Sequence, residues 1–145
     1  MKPDPNIVLK GIVRAYAREL IPELDSPYSR NSAILGNGLL NILAVEFERL
    51  IDRLMEETRV TADILCDAAA IIPDEHLAFR ARVAGAKRAP ANLRRSTVQA
   101  LNDDARAMLI EVHAAIEAIP GPAAAAMNLR IWAELQASTV RRQAR

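Results

Sequence analysis

Side chains that do chemistry are scarce in this chain. Two histidines and one cysteine leave too few soft donors for a metal centre, and no glutamate stands three residues before either histidine as it does in di-iron helix bundles. The lone Cys66 excludes an intramolecular disulfide, and with no His or Lys beside it the residue reads as a buried small hydrophobe. Gly36-Asn37-Gly38 lacks both a preceding strand and a following Lys-Ser/Thr, so no nucleotide cradle is expected. Aromatic residues are 3% of the chain, which denies nucleic acid a stacking platform and leaves Leu, Ile, Val, Ala and Met to fill the interior. No uncharged apolar run approaches the ~20 residues of a membrane span, and the opening MKPDPNIVLKG has no apolar signal core. These absences predict a cytoplasmic, bacterial-type protein without metal, cofactor or membrane partner.

What is present is helix. The composition, 51% hydrophobic against 26% charged over 145 residues, suits one domain with a sizeable core. Asp4-Pro5 supplies an N-cap acceptor and a preset φ for a first helix over 5–20, with Leu9, Ile12, Val13, Tyr16 and Leu20 along one side until Pro22. Ser26-Pro27 repeats that signal and opens the longest patterned stretch. There Leu39, Leu43, Phe47, Leu50 and Leu54 form an apolar stripe expected to lie on the core, and Gly36 in the same sector invites a crossing helix. Asn37, Asn41, Glu48 and Asp52 gather into a polar row facing water, while Arg49, Arg53, Glu56 and Glu57 are spaced for surface ion pairs. A break is expected near 58–61, because Thr58, Val60 and Thr61 crowd β-branched side chains and an unbroken helix would be too long for one compact domain.

Ile64, Leu65, Ala68 and Ile72 continue the apolar pattern to Pro73, and Asp74-Glu75 start a short helix ending near Gly85. After Pro90 a heptad-like series, Val98, Leu101, Ala105, Met108, Val112, Ala115 and Ile119, marks another long helix flanked by Leu109 and Ile116. Pro120-Gly121-Pro122 stops it, and a last helix follows, fraying from Val140. The prediction is an all-α, single-domain bundle of four long helices plus one short helix. Ala126, Leu129, Ala133 and Val140, facing outward on the last helix, further predict a homodimer.

Charge is uneven along a chain whose net charge is +1. Residues 46–75 hold nine acids against three bases, whereas 76–102 hold no acid against Arg80, Arg82, Lys87, Arg88, Arg94 and Arg95. Mutual neutralisation of the two arms is the simple reading, and a basic contact surface for a partner is the sharper one. Residues 81–101 have the layout of a helix-turn-helix, but near-neutrality and Pro90 in the linker weigh against nucleic acid.

Two sets of candidate residues follow. A partner-binding face is expected at Asn37, Asn41, Glu48 and Asp52 or at Arg80, Arg82, Lys87 and Arg88. A pocket between helices, if the protein acts on a small molecule, would be built from Tyr16, Glu46 and His113. Glu46 is the acid nearest the apolar stripe, and His113 is one turn before Glu117. No catalytic, cofactor-binding or metal-binding residue is expected.

Residues 8–50, VLKGIVRAYARELIPELDSPYSRNSAILGNGLLNILAVEFERL, resemble the opening of an uncharacterised family of small bacterial helical proteins, through Leu20, Pro22, Leu24, Asp25, Asn37, Leu39 and Glu46. The resemblance implies an accessory protein found with aminoglycoside-phosphotransferase-like kinases and acyl-CoA dehydrogenases, and it carries over no catalytic residue.

Overall fold

The computed structural model describes residues 3–143 and, among them, contains helices and no strand. Five α-helices follow in order: α1 Pro5–Ala15, α2 Pro27–Ala68, α3 Glu75–Ala86, α4 Arg95–Ala118 and α5 Pro122–Arg142. None is long and apolar enough to cross a membrane. The starts obey local chemistry. Asp4 Oδ1 accepts the Asn6 amide at 2.8 Å, and Asp74 Oδ1 accepts the His76 and Leu77 amides at 2.9 and 3.2 Å. After α1 the backbone widens into a π-helical turn over Tyr16–Leu20 and tightens into a 3-10 turn over Ile21–Glu23, as Pro22 requires. The Arg30 guanidinium then donates to the Leu24 carbonyl at 2.7 and 3.1 Å, fastening the turn into α2. Gly121, at φ 114°, takes the left-handed backbone that separates α4 from α5.

The chain divides into two compact units, residues 3–50 and Ile51–Gln143. In the second, Ile64, Leu65, Met108, Leu109, Val112, Ile116 and Ile131 pack with a ring of alanines into one core. Gly85 permits the closest helix approach there. A Cβ at that position would stand 2.6 Å from Cys66 Sγ and 2.8 Å from the Ala62 carbonyl oxygen.

Several sequence expectations are corrected. The break near 58–61 does not occur, and α2 runs unbroken to Ala68. Thr58, Thr61 and Ala62 are buried there, so tertiary packing outweighs the small helix penalty of β-branched residues. Thr58 Oγ1 donates to the Leu54 carbonyl at 2.7 Å, and Asn102 Nδ2 donates to Thr58 Oγ1 at 3.1 Å. The length objection also lapses, because residues 27–50 of α2 belong to one unit and residues 51–68 to the other.

The apolar stripe of α2 meets a core only from Leu54 onward. Leu39, Leu43 and Phe47 are 68%, 56% and 57% exposed, and Gly36 has nothing within 4 Å of its would-be Cβ, so the expected helix crossing is not made among the described residues. What the first half of α2 turns inward is mostly small or polar: Ala44 is buried, and Ala33 and Asn37 are half-buried, with Leu40 the one large apolar side chain of that sector. Asn37 thus leaves the solvent-facing row, its amide oxygen shielded and without a partner among the described residues, whereas Asn41, Glu48 and Asp52 remain exposed.

Glu57, expected at the surface, is 1% exposed. On α4 the buried residues are Val98, Asn102, Ala105, Met108, Leu109, Val112 and Ile116, so Val98, Ala105, Met108 and Val112 of the predicted series are in the core while Leu101, Ala115 and Ile119 lie on its shoulder. The helix follows 3.6 rather than 3.5 residues per turn. Finally α5 does not fray at Val140. It continues to Arg142 because Arg141 and Arg142 bond to acids of the same unit, and the remainder of the predicted fraying, residues 144 and 145, lies outside the described residues.

Candidate partner-binding surface

In the first unit α2 is built with its large apolar side chains outward. A rotation of about 100° per residue places Leu35, Leu39, Ile42, Leu43 and Phe47 within one sector of roughly 140°, and all five are exposed. Ala33, Asn37, Leu40 and Ala44 fall in a narrow sector turned inward. On α1 and its π-helical turn, Val8, Ile12, Tyr16 and Leu20 repeat every four residues and are exposed as well. A loose ion pair joins these helices, Lys10 Nζ with Glu48 Oε2, 3.9 Å apart. Of the pocket candidates, Tyr16 lies exposed in this unit and Glu46 is half-buried on its α2 segment.

The second unit contains a small cleft of about 80 Å³ lined by Glu57, Thr61, Arg106, Leu109, His113 and Glu134 among others. Of the three pocket candidates, His113 alone lines it. Its Nε2 meets Asn128 Oδ1 at 2.8 Å and Glu117 Oε1 at 3.5 Å, and its ring packs edge-on against Trp132 with centroids 5.4 Å apart. Glu57 is clamped: Arg142 Nε and Nη2 donate to its two oxygens at 3.1 and 2.5 Å, and Arg106 Nη1 stands 3.6 Å away. The hydrogen bond to Glu57, ahead of the opposing effect of burial, raises the pKa of Arg142. Burial pushes the Glu134 carboxyl above its usual range despite its short contact with Arg141.

These groups are spent on one another. Ser138 Oγ donates to the Leu135 carbonyl at 2.9 Å, so the cleft presents neither a free nucleophile beside a base nor the roughly 300–1,000 Å³ that small-molecule sites occupy. Among the described residues no three His, Cys, Asp or Glu side chains converge as metal ligands.

The basic arm is partly neutralised within the second unit. Arg80 grips Glu111 with two bonds of 2.8 Å, which raises its pKa, and Arg88 Nη1 reaches Asp63 Oδ1 at 2.5 Å. Asp67 is likewise taken by Arg130 at 2.6 Å. Arg82 and Lys87 are exposed, Lys87 beside Phe79 and Val83 in an open groove.

Sequence reasoning missed Glu57 and Asn102. Both were legible as register positions, since Glu57 follows Leu50 and Leu54 by seven and three residues, and Asn102 follows Val98 by four.

The architecture is that of an all-α chain in two compact helical units with an uncovered apolar helix face. No protein-family model, curated protein or solved structure matches the chain.

Proposed function

We propose that this chain is a non-catalytic helical interaction module whose contact surface is the outward apolar face of α2 in the first unit, the polar row Asn41, Glu48 and Asp52 lying on the opposite side of that helix. The observation that carries the reading is the inside-out pattern of that helix: alanine and asparagine turned in, leucine and phenylalanine turned out. A lone helix gains little by this arrangement, whereas a helix laid against a partner requires it. The bundle of long helices is then completed only when the partner is present. An accessory role in a bacterial cytoplasm, the setting that the resemblance over residues 8–50 implies, belongs to this reading.

Catalysis in an inter-helix pocket is the weaker alternative, given a cleft whose acids are already paired. Binding of nucleic acid through 80–95 is weaker still, with Arg80 and Arg88 held by Glu111 and Asp63. Hydroxyl-radical footprinting tests the proposal. Leu39, Leu43 and Phe47 should oxidise several-fold more slowly in the native protein, alone or in a bacterial extract, than in the urea-unfolded chain. Equal rates in all three states would refute a contact role for this face.

A further inference from the structure

We infer that the occupant of this face is a second copy of the same chain, joined through an isologous contact of two first units; the inference rests on the interaction-module reading and names its partner. Three observations favour a copy over an unrelated protein.

The first is area. Taking about 200 Å² for a large apolar side chain, the five outward residues of α2 present on the order of 600 Å² of uncovered surface. That is the upper end of the about 300–600 Å² of the largest patch on a typical monomer, and two copies together reach the roughly 1,200 Å² at which stable interfaces begin.

The second is charge. In a two-fold contact each residue meets the same patch on its partner, so any charge near the axis faces its own image. The 15 residues between Arg30 and Glu46 carry no charge at all, so a two-fold axis near Leu39 sets no charge against its image, and Glu46, which shares the apolar sector beside Phe47, stands away from that axis.

The third is relief. Gly36 lies beside Leu43 on the helix surface with nothing within 4 Å of its would-be Cβ, so the face carries a notch into which a copy's side chain or backbone can close. The outward residues predicted on α5, Ala126, Leu129, Ala133 and Val140, are exposed as well, but only two of these four side chains are large, so that stripe offers much less apolar area than the α2 face.

Sedimentation equilibrium of the full chain between about 1 and 100 μM tests this, since standard interfaces hold in that range. The purified protein should have twice the 15.9 kDa chain mass. Gly36→Arg, whose Cβ has nothing within 4 Å and whose helix content is to be matched to the parent by circular dichroism, should weaken association by roughly 100-fold or more, by forcing a charge into the contact. Leu39→Glu should do the same, and Leu129→Glu should leave the dimer unchanged.

A monomer at all concentrations overturns the inference, as does a dimer that survives both Gly36→Arg and Leu39→Glu or is lost in Leu129→Glu. A monomer whose Leu39 and Leu43 become protected only in extract removes the self-partner and keeps the interaction reading. A monomer unprotected in every state removes both.

Discussion

Replacing Glu57 by glutamine removes the most enclosed carboxylate charge among the described ion pairs while keeping the side chain's size. The Glu57 side chain is 2% exposed, whereas those of Arg142 and Arg106 are 42% and 36% exposed. Deleting one member of a fully buried pair costs about 3–5 kcal/mol, because the remaining charge stays dry. Here both guanidiniums keep water, and screening reduces the penalty to about 2 kcal/mol. The glutamine NH2 would in addition point a donor at a donor.

Urea unfolding followed by Trp132 fluorescence is the assay, because this sole tryptophan sits edge-on to His113 within the same unit. With a slope near 1 kcal/mol/M for a unit of this size, the midpoint should fall by about 2 M. Glu56→Gln, removing a loose 3.9 Å contact to Arg141, should move stability by less than about 0.5 kcal/mol. A double-mutant cycle of Glu57→Gln with Arg142→Gln should return a coupling above about 1 kcal/mol. If Glu57→Gln unfolds within about 0.5 kcal/mol of the parent at an unchanged slope, the clamp contributes nothing and the reasoning fails.

Further outcomes are expected in the same unit. Gly85→Ala should destabilise by about 2 kcal/mol or more, and adding Cys66→Ala should recover only part, because the Ala62 carbonyl oxygen at 2.8 Å remains; full recovery would show that the backbone contact is harmless. Asn102→Ala should cost about 1–3 kcal/mol by removing the donor to Thr58 and Leu54, and a neutral effect on the urea midpoint would contradict that bond. Burial, ahead of the charges of Glu57 and Glu56, raises the Glu134 pKa above 4.5, so the folded state holds this proton to higher pH than the unfolded state does. That contribution is complete below 4.5 and is lost as pH rises through the folded value, so the urea midpoint should decline over that window. Glu134→Gln should flatten the decline, and an unchanged slope in the variant would assign it to another group.

Helix positions were readable because their signals are local: Asp4-Pro5, Ser26-Pro27, Asp74-Glu75 and Gly121-Pro122 each mark a start that the structure uses. The arms of opposite charge were also readable as mutual neutralisers, and Arg88 with Asp63 realises that pairing. The partners of Glu57 were not: its register marks it for the core, but Arg106 and Arg142, which make burial of a carboxylate tolerable, stand 49 and 85 positions later. The unbroken α2 escaped for a similar reason. Propensity at Thr58 and Thr61 argued for a break, and the packing that overrides it comes from residues such as Asn102 that no local window contains.

Periodicity identifies which face of a helix must leave water and is silent on what takes the water's place. From Leu54 onward α3, α4 and α5 supply that cover; before it Leu35, Leu39, Leu43 and Phe47 stay exposed, while the narrow sector of Ala33, Asn37, Leu40 and Ala44 is shielded. Burying on the order of 600 Å² at about 25 cal/mol per Å² is worth up to about 15 kcal/mol, of which association and ordering consume much. The remainder still favours cover, so this face should not stay wet at working concentration. An open-ended contact would then show as precipitation that grows with concentration, and a closed two-fold contact as a mass that stops at two chains. Light scattering on a dilution series separates the two, and continued growth of mass beyond the dimer would exclude the closed contact.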